Sequence, residues 1–492
     1  MTSLSDRAGF LIVANLIKYV VGFVMPIVLV RMLSQSDYGT YQQMILVSTT
    51  VIGIMSLGLP TSVYYFYNLV PPERTPTLII QTSLLLGVAG AVATAAIFFG
   101  AMQIANSLNN PSMVDLLKLY AFSIAFMIAS EHSIPFMIAQ NRYLLAVGLE
   151  TGETFVRVLV LLAPLWLGYG FAGLIAGIVL YAMARFVVRS VYLFGSGGMR
   201  FAGWSKAVFP VEQLTYSVPI ALVSLTALIG ATFNRGILAT SFTPADYAIY
   251  SVGALEIPLD VIFQASVANV LRASLPPLVR DGNLTEVVRI IREAVRKLSI
   301  IVLPSFIFLL GHSHQFITLM FTKLYAESVP VFQIYLWLVP LHMFMLSPIP
   351  QIFGKTRVNL YIVLGMTTVL LFLSYALLKW IGFYGPAIAM VAAQYFGVAV
   401  YFAVVLRLTH TTLLRLLPVS SQLRVVAASL GALLAARIAS DLTASGFLNF
   451  IMACGVFSAL FLMLAALIGV FTPDDRRLIR RWMSKVLPKG MG

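Results

Sequence analysis

Fourteen stretches of this chain are apolar over a length that would cross a bilayer as a helix. They lie near 10–32, 41–67, 77–104, 114–139, 143–167, 171–193, 216–239, 248–271, 298–320, 331–353, 358–380, 384–406, 425–442 and 447–471. A spanning helix needs about 20 mostly apolar residues, and within lipid the backbone must satisfy its own hydrogen bonds. The expected fold class is therefore an all-α polytopic membrane protein. Composition agrees, with 60% hydrophobic and only 10% charged residues, against roughly 25% charged in soluble domains. So sparse a set of charges excludes a secreted enzyme and a disordered chain. It also excludes a nucleic-acid binder, despite a net charge of +14. The single cysteine, Cys454, allows no intrachain disulfide and says nothing about redox compartment.

The basic residues set the orientation. Of 32 lysines and arginines, 24 fall on the side of the N-terminus, four (Arg31, Lys118, Lys323, Lys379) on the other, and Lys18, Arg157, Arg235 and Arg437 within spans. Such a bias marks the cytoplasmic face, so both termini are expected inside and the number of helices even. The first apolar stretch lacks a small-residue cleavage site and reads as a retained helix. The charge excess is then a matter of topology and of contact with anionic membrane lipids. Two cytoplasmic segments look amphipathic. In residues 283–297, Val287, Ile290, Ile291 and Ala294 share one face and Arg289, Arg292 and Arg296 another, which predicts a helix lying on the membrane surface. Residues 472–489 begin with the cap signal Thr472-Pro473-Asp474 and have the same character.

An internal repeat divides the chain. Asp37-Tyr38-Gly39-Thr40-Tyr41 recurs 209 residues on as Asp246-Tyr247-Ala248-Ile249-Tyr250. Ile134-Pro135 with Arg142 recurs 215 residues on as Ile349-Pro350 with Arg357, and Tyr169-Gly170-Phe171-Ala172 as Tyr384-Gly385-Pro386-Ala387. An even number of helices per repeat keeps both halves in one orientation, so they would be related by an axis along the membrane normal. The expected organisation is an N-lobe of helices 1–6 (residues 1–200), a C-lobe of helices 7–12 (201–415), helices 13–14 (416–471) and a basic cytoplasmic tail (472–492). Two lobes flanking a central cleft suit alternating access, and Pro26, Pro60, Pro135, Pro219, Pro258 and Pro350 supply possible bends.

The stretch Arg31-Met32-Leu33-Ser34-Gln35-Ser36-Asp37-Tyr38-Gly39-Thr40-Tyr41 and the turn Leu57-Gly58-Leu59-Pro60 resemble the polysaccharide transporter family. That family belongs to the multidrug/oligosaccharidyl-lipid/polysaccharide flippase superfamily. The resemblance covers the whole chain as twelve helices in two halves, a terminal pair and a basic tail. It implies a flippase moving an undecaprenyl-diphosphate-linked oligosaccharide from the inner to the outer leaflet of the bacterial cytoplasmic membrane. The sugar would feed O-antigen, capsule or exopolysaccharide assembly, with other polysaccharide-assembly membrane proteins as possible partners.

Such a substrate needs cations for its diphosphate in a hydrated cleft, and ionisable residues within spans are functional candidates by default. Lys18, about 12 Å into the first helix at 1.5 Å per residue, is too deep to snorkel and is expected to face the cleft. Arg235, on the repeat-equivalent helix seven, is the second candidate cation. Glu256 and Asp260, four apart around Pro258, are candidate gate or sugar contacts on one helix face. Glu131, Glu150 and Glu153 are candidate carboxylates for coupling to Na⁺ or H⁺, with Glu153 and Arg157 spaced to form an internal pair. Arg437 and Asp441 have the same spacing. No cofactor motif and no catalytic metal cluster appears. The connections on the less basic side are too short to house a polymerase or ligase active site. Two transport readings stay open: a lipid II flippase, and a multidrug or cation antiporter of the same superfamily.

Overall fold

The computed structural model describes residues 4–195, 210–440, 446–473, 475 and 477, less the side chains of 4–13, 15, 210, 223, 227, 258–266, 439 and 440. Among these residues the chain is helix and short connections with no strand, an all-α polytopic membrane protein. The helices run α1 (Leu4–Met32), α2 (Gln35–Met55), α3 (Leu59–Leu69), α4 (Thr75–Ser107), α5 (Val114–Ala129), α6 (Ser133–Ala139), α7 (Tyr143–Trp166), α8 (Gly170–Gly195), α9 (Pro210–Ser241) and α10 (Pro244–Gly253). They continue as α11 (Pro258–Arg280), α12 (Leu284–Gly311), α13 (Ser313–Phe321), α14 (Ser328–Leu336), α15 (Ile349–Ile352), α16 (Thr356–Ile381), α17 (Gly385–Leu408), α18 (Leu413–Leu416), α19 (Val419–Ser440) and α20 (Gly446–Leu467).

Over its described residues each of the fourteen apolar stretches falls mainly on helix, but several are built from two pieces. Eight segments of the described chain are long and apolar enough to span a bilayer, or nine with the bent α9. One of the eight, Thr356–Leu408, is the pair α16 and α17 joined by a short 3₁₀ turn. α7 has the length to cross but carries Glu150, Glu153 and Arg157, charges that only an internal cavity can accommodate.

Helix boundaries obey the repeat. α1 ends at Met32 and α9 at Ser241; α2 starts at Gln35 and α10 at Pro244. The intervening caps are the same device. The Ser34 hydroxyl accepts from the Asp37 N–H and donates to its carboxylate, and Thr243 does both with Asp246. A side-chain oxygen there satisfies a donor that the first helical turn leaves open. Later, α8 starts at Gly170 and α17 at Gly385. The break at 130–132 between α5 and α6 has its counterpart at 344–348, before α15.

The described chain forms two compact units, one of residues 1–252 with 367–386, the other of 253–366 with 387–492. Lipid offers no hydrophobic gain for helix association, so small residues and close backbone approach carry the packing. In the first unit Gly177 of α8 lies so near α7 that a β-carbon would sit 2.5 Å from the Val160 carbonyl oxygen.

In the second unit the amphipathic segment differs from expectation. Residues 284–297 run without a break into the following span as α12, and Val287, Ile291 and Val295 are buried within the protein. That face is covered by protein, in a helix that packs against α11 and α18 among others, and Arg292 donates to the Arg415 carbonyl at 2.8 Å. Asn283 caps this helix by accepting from the Glu286 N–H at 3.2 Å. Beyond α20, Asp475 pairs with the buried Arg296 at 2.8 Å and accepts from Thr472. Of the expected tail helix over 472–489, residues 474, 476 and 478–489 lie outside the described residues.

Burial alone would raise the Asp475 carboxyl, but hydrogen bonds from Arg296 and Thr472 outweigh it and hold the carboxyl below its ordinary value. A depressed carboxyl contributes stability above its unfolded value of about 3.9 and loses that contribution as pH falls through the folded value. Asp475→Asn should therefore cost about 2 kcal/mol at neutral pH, the order of a hydrogen bond to a charged group. The gap in Tm between the variant and the parent should shrink below about pH 4.

Candidate functional site

A cavity of about 470 Å³ lies inside the first unit between α1, α2, α7 and α8. Helical periodicity builds its charged walls. Glu150, Glu153 and Arg157 stand three and four residues apart on one face of α7, and Tyr181, Arg185 and Arg189 four apart on one face of α8. The two helices are antiparallel neighbours across a turn in which Gly168 and Gly170 both have positive φ, so the stripes face each other. α1 adds Lys18 and α2 adds Tyr38, Tyr41 and Gln42.

The charges divide unequally. Arg189, with a side chain only 4% exposed, grips Glu153 bidentately at 2.7 and 2.6 Å. Its remaining donors reach the Ser130 carbonyl and the Ser133 hydroxyl, both at 3.2 Å, where α5 breaks into α6. Arg185 shares Glu153 at 3.7 Å, and its buried Nε has no hydrogen-bond partner. Lys18 pairs with Glu150. Arg157 has no carboxylate within ion-pair distance among the described residues; its neighbours are the phenols of Tyr41, Tyr120 and Tyr181. Four cations thus line the cavity with two carboxylates, leaving an excess of positive charge in a membrane interior.

Of the sequence candidates, Lys18, Glu150 and Glu153 come together here. Glu153 pairs with Arg189 and Arg185, however, and not with Arg157 one turn away, because α8 presents two guanidinium groups directly across from it. Glu131 stands behind the cavity in the α5–α6 break, hydrogen-bonded by Ser56. Arg235 is exposed on α9 and does not line the cavity. Glu256 is exposed in the non-helical link before α11, while Asp260 lies within α11, its side chain outside the described residues. The expected shared helix face therefore does not form: Pro258, lacking an N–H, opens the helix between them. Arg437 donates to the Gly311 carbonyl at 3.3 Å, and Asp441 lies outside the described residues.

The sequence reading missed the roles of Arg157, Arg185 and Arg189. It placed the last two among the cytoplasmic loop charges. The available signal was the four-residue spacing Tyr181-Arg185-Arg189 continuing a helix that starts at Gly170, which keeps both arginines on its inner stripe.

A sequence profile of the family described as polysaccharide biosynthesis protein matches residues 4–278. No curated protein was found to match. Among solved structures, the inward closed conformation of the lipid II flippase MurJ is similar in fold, with a TM-score of 0.74 at 14% identity over 95% of this chain and 99% of that one. An inward-facing multidrug resistance MATE family transporter of the MOP superfamily gives 0.58 at 13% identity over 83% and 96%. A MOP superfamily transporter from Pyrococcus furiosus gives 0.56 at 11% identity over 82% and 95%.

Proposed function

Since the chain belongs to the polysaccharide biosynthesis protein family, we propose that it is a flippase for undecaprenyl-diphosphate-linked oligosaccharide. It works by alternating access in the bacterial cytoplasmic membrane, with both termini inside. The single observation that carries this reading is the cationic excess in the cavity of the first unit. A diphosphate leaving the headgroup region loses hydration, and an unpaired charge in low dielectric is prohibitively costly. Arg157 and Arg185, each with donors not committed to a carboxylate, offset that loss, with Lys18 as a third cation. Arg235, Glu256 and Asp260 are assigned to other points along the path, and the basic face to contact with anionic lipids and other polysaccharide-assembly membrane proteins.

Reconstitution with a fluorescent polyprenyl-diphosphate saccharide tests the reading. Protein-dependent movement between leaflets is expected; export of organic cations without such movement would favour the antiporter alternative. A lipid II flippase is the second reading, favoured by the fold likeness over 99% of that flippase. Competition between lipid II and a polyprenyl-diphosphate O-unit decides between them.

Coupling to Na⁺ or H⁺ is assigned to Glu131, Glu150 and Glu153, which the geometry sorts. Glu150 and Glu153 have cationic partners, whereas Glu131 meets a neutral hydroxyl. A glutamine at 131 can keep the Ser56 hydrogen bond while losing the titratable group. Glu131→Gln is thus expected to leave folding intact but to remove the dependence of transport on an imposed ion gradient. Unchanged gradient dependence would make Glu131 structural.

A further inference from the structure

The short helix α3 is separated from α2 by Ser56-Leu57-Gly58, where Leu57 and Gly58 have φ of 48° and 69°. Two successive left-handed residues, one of them leucine, make a strained bend rather than a continuation of the helix. α3 then runs to the loop bearing Arg74, on the basic side of the membrane. It is not held there by apolar packing alone. Gln213, in the first turn of α9 and fully buried, donates to the Ser62 hydroxyl of α3 and the Thr82 hydroxyl of α4, both at 3.0 Å. Gln81 of α4 donates to the Gln213 amide oxygen at 2.8 Å. Beside this cluster the rings of Tyr65 and Tyr216 stack with centroids 4.5 Å apart. At the bend itself, a β-carbon on Gly58 would lie 2.7 Å from the Ser217 carbonyl oxygen.

We propose that α3 is a hinged gate on the cytoplasmic side of the transport path, turning at Leu57-Gly58 and latched shut on α9 by Gln213. The inference rests on the cavity of the first unit being part of that path. A latch must be specific yet reversible. A cluster of neutral hydrogen bonds meets both needs, since polar side-chain contacts between membrane helices are individually modest. An ion pair at the same depth would have to be stripped of water each time the gate closed. The cluster is also incompletely satisfied: the Gln81 amide oxygen is buried without a hydrogen-bond partner. The closed arrangement therefore leaves an acceptor that opening to water would satisfy. Glu131 reaches the same bend from the α5–α6 break through Ser56, the C-cap of α2, which places a titratable group at the hinge.

The test reads access to the cavity without any substrate. Gly22→Cys on a Cys454→Ala background puts a thiol into the cavity, where a β-carbon meets nothing within 4 Å. In inside-out vesicles its labelling by a membrane-impermeant thiol reagent should speed up by roughly threefold or more when Gln213→Leu removes the latch, as expected from losing several modest interhelical hydrogen bonds. Conversely, joining Tyr65→Cys to Tyr216→Cys with a short reducible crosslinker should slow labelling and stop transport, with reductant restoring both. This pair also controls for misfolding, because the same molecules are measured before and after. An unchanged labelling rate in Gln213→Leu, or normal transport while crosslinked, would overturn the gate. A gate that behaves as stated in a protein that moves no diphosphate-linked lipid would instead overturn the substrate assignment and leave the gate standing.

Discussion

Arg157→Ala should weaken binding of a polyprenyl-diphosphate ligand by roughly 10- to 100-fold. A hydrogen bond to a charged group contributes about 1.5–3 kcal/mol, and each 1.4 kcal/mol is about tenfold in affinity. The fold should survive the change. Arg157 has tyrosine neighbours and, among the described residues, no carboxylate partner, so truncation orphans no buried anion. Arg157→Lys keeps the charge but loses the planar fork that matches two phosphate oxygens, and it should fall between parent and alanine. The measurement is a binding titration in detergent alongside thermal stability, followed by transport in liposomes. Unaltered affinity in a well-folded Arg157→Ala protein would remove the residue from the substrate path. Lys18→Ala provides a contrast within the same cavity: it frees Glu150, which then sets a negative charge beside the incoming anion.

Arg189→Ala should instead act on the fold. Breaking a buried ion pair by removing one partner typically costs about 3–5 kcal/mol, because the other charge is left uncompensated. Here the loss includes both bonds to Glu153 and the donors that bridge to Ser130 and Ser133 at the break between α5 and α6. The remaining Arg185–Glu153 approach of 3.7 Å is too long to replace them. A large drop in Tm and in yield of folded protein is expected. Combining Arg189→Met with Glu153→Gln should recover part of it, since the carboxylate is no longer left uncompensated, while Arg185 loses its partner at 3.7 Å. Stability of the single variant close to that of the parent would show that the pair contributes little and that Glu153 is solvated in the membrane.

Much of the architecture is legible in order along the chain because its determinants are local. Apolar length sets the spans, and the cap residues Ser34 with Asp37 and Thr243 with Asp246 set the same helix starts in both halves. Breaks are harder to see. The periodicity of residues 114–139 continues through Glu131-His132, yet the helix interrupts there, and the interruption is stabilised by Arg189 from a different span. Residues 283–297 show the opposite error. Their pattern is that of a surface helix, but a neighbouring helix can cover an apolar face as well as lipid can.

The sequence by itself determined that this is an all-α membrane protein, where its repeat begins, and that Lys18, Glu150 and Glu153 are charges within spans in need of an explanation. Only the tertiary structure decided the partners. Helix spacing allows Glu153 to meet Arg157 on its own face, yet Arg189 takes it from across the cavity because a bidentate, buried contact is stronger than a one-turn pair. That exchange leaves Arg157 facing the cavity, and with it the excess of positive charge. The positions of charges are properties of the chain, but their compensation depends on which helices come to lie side by side.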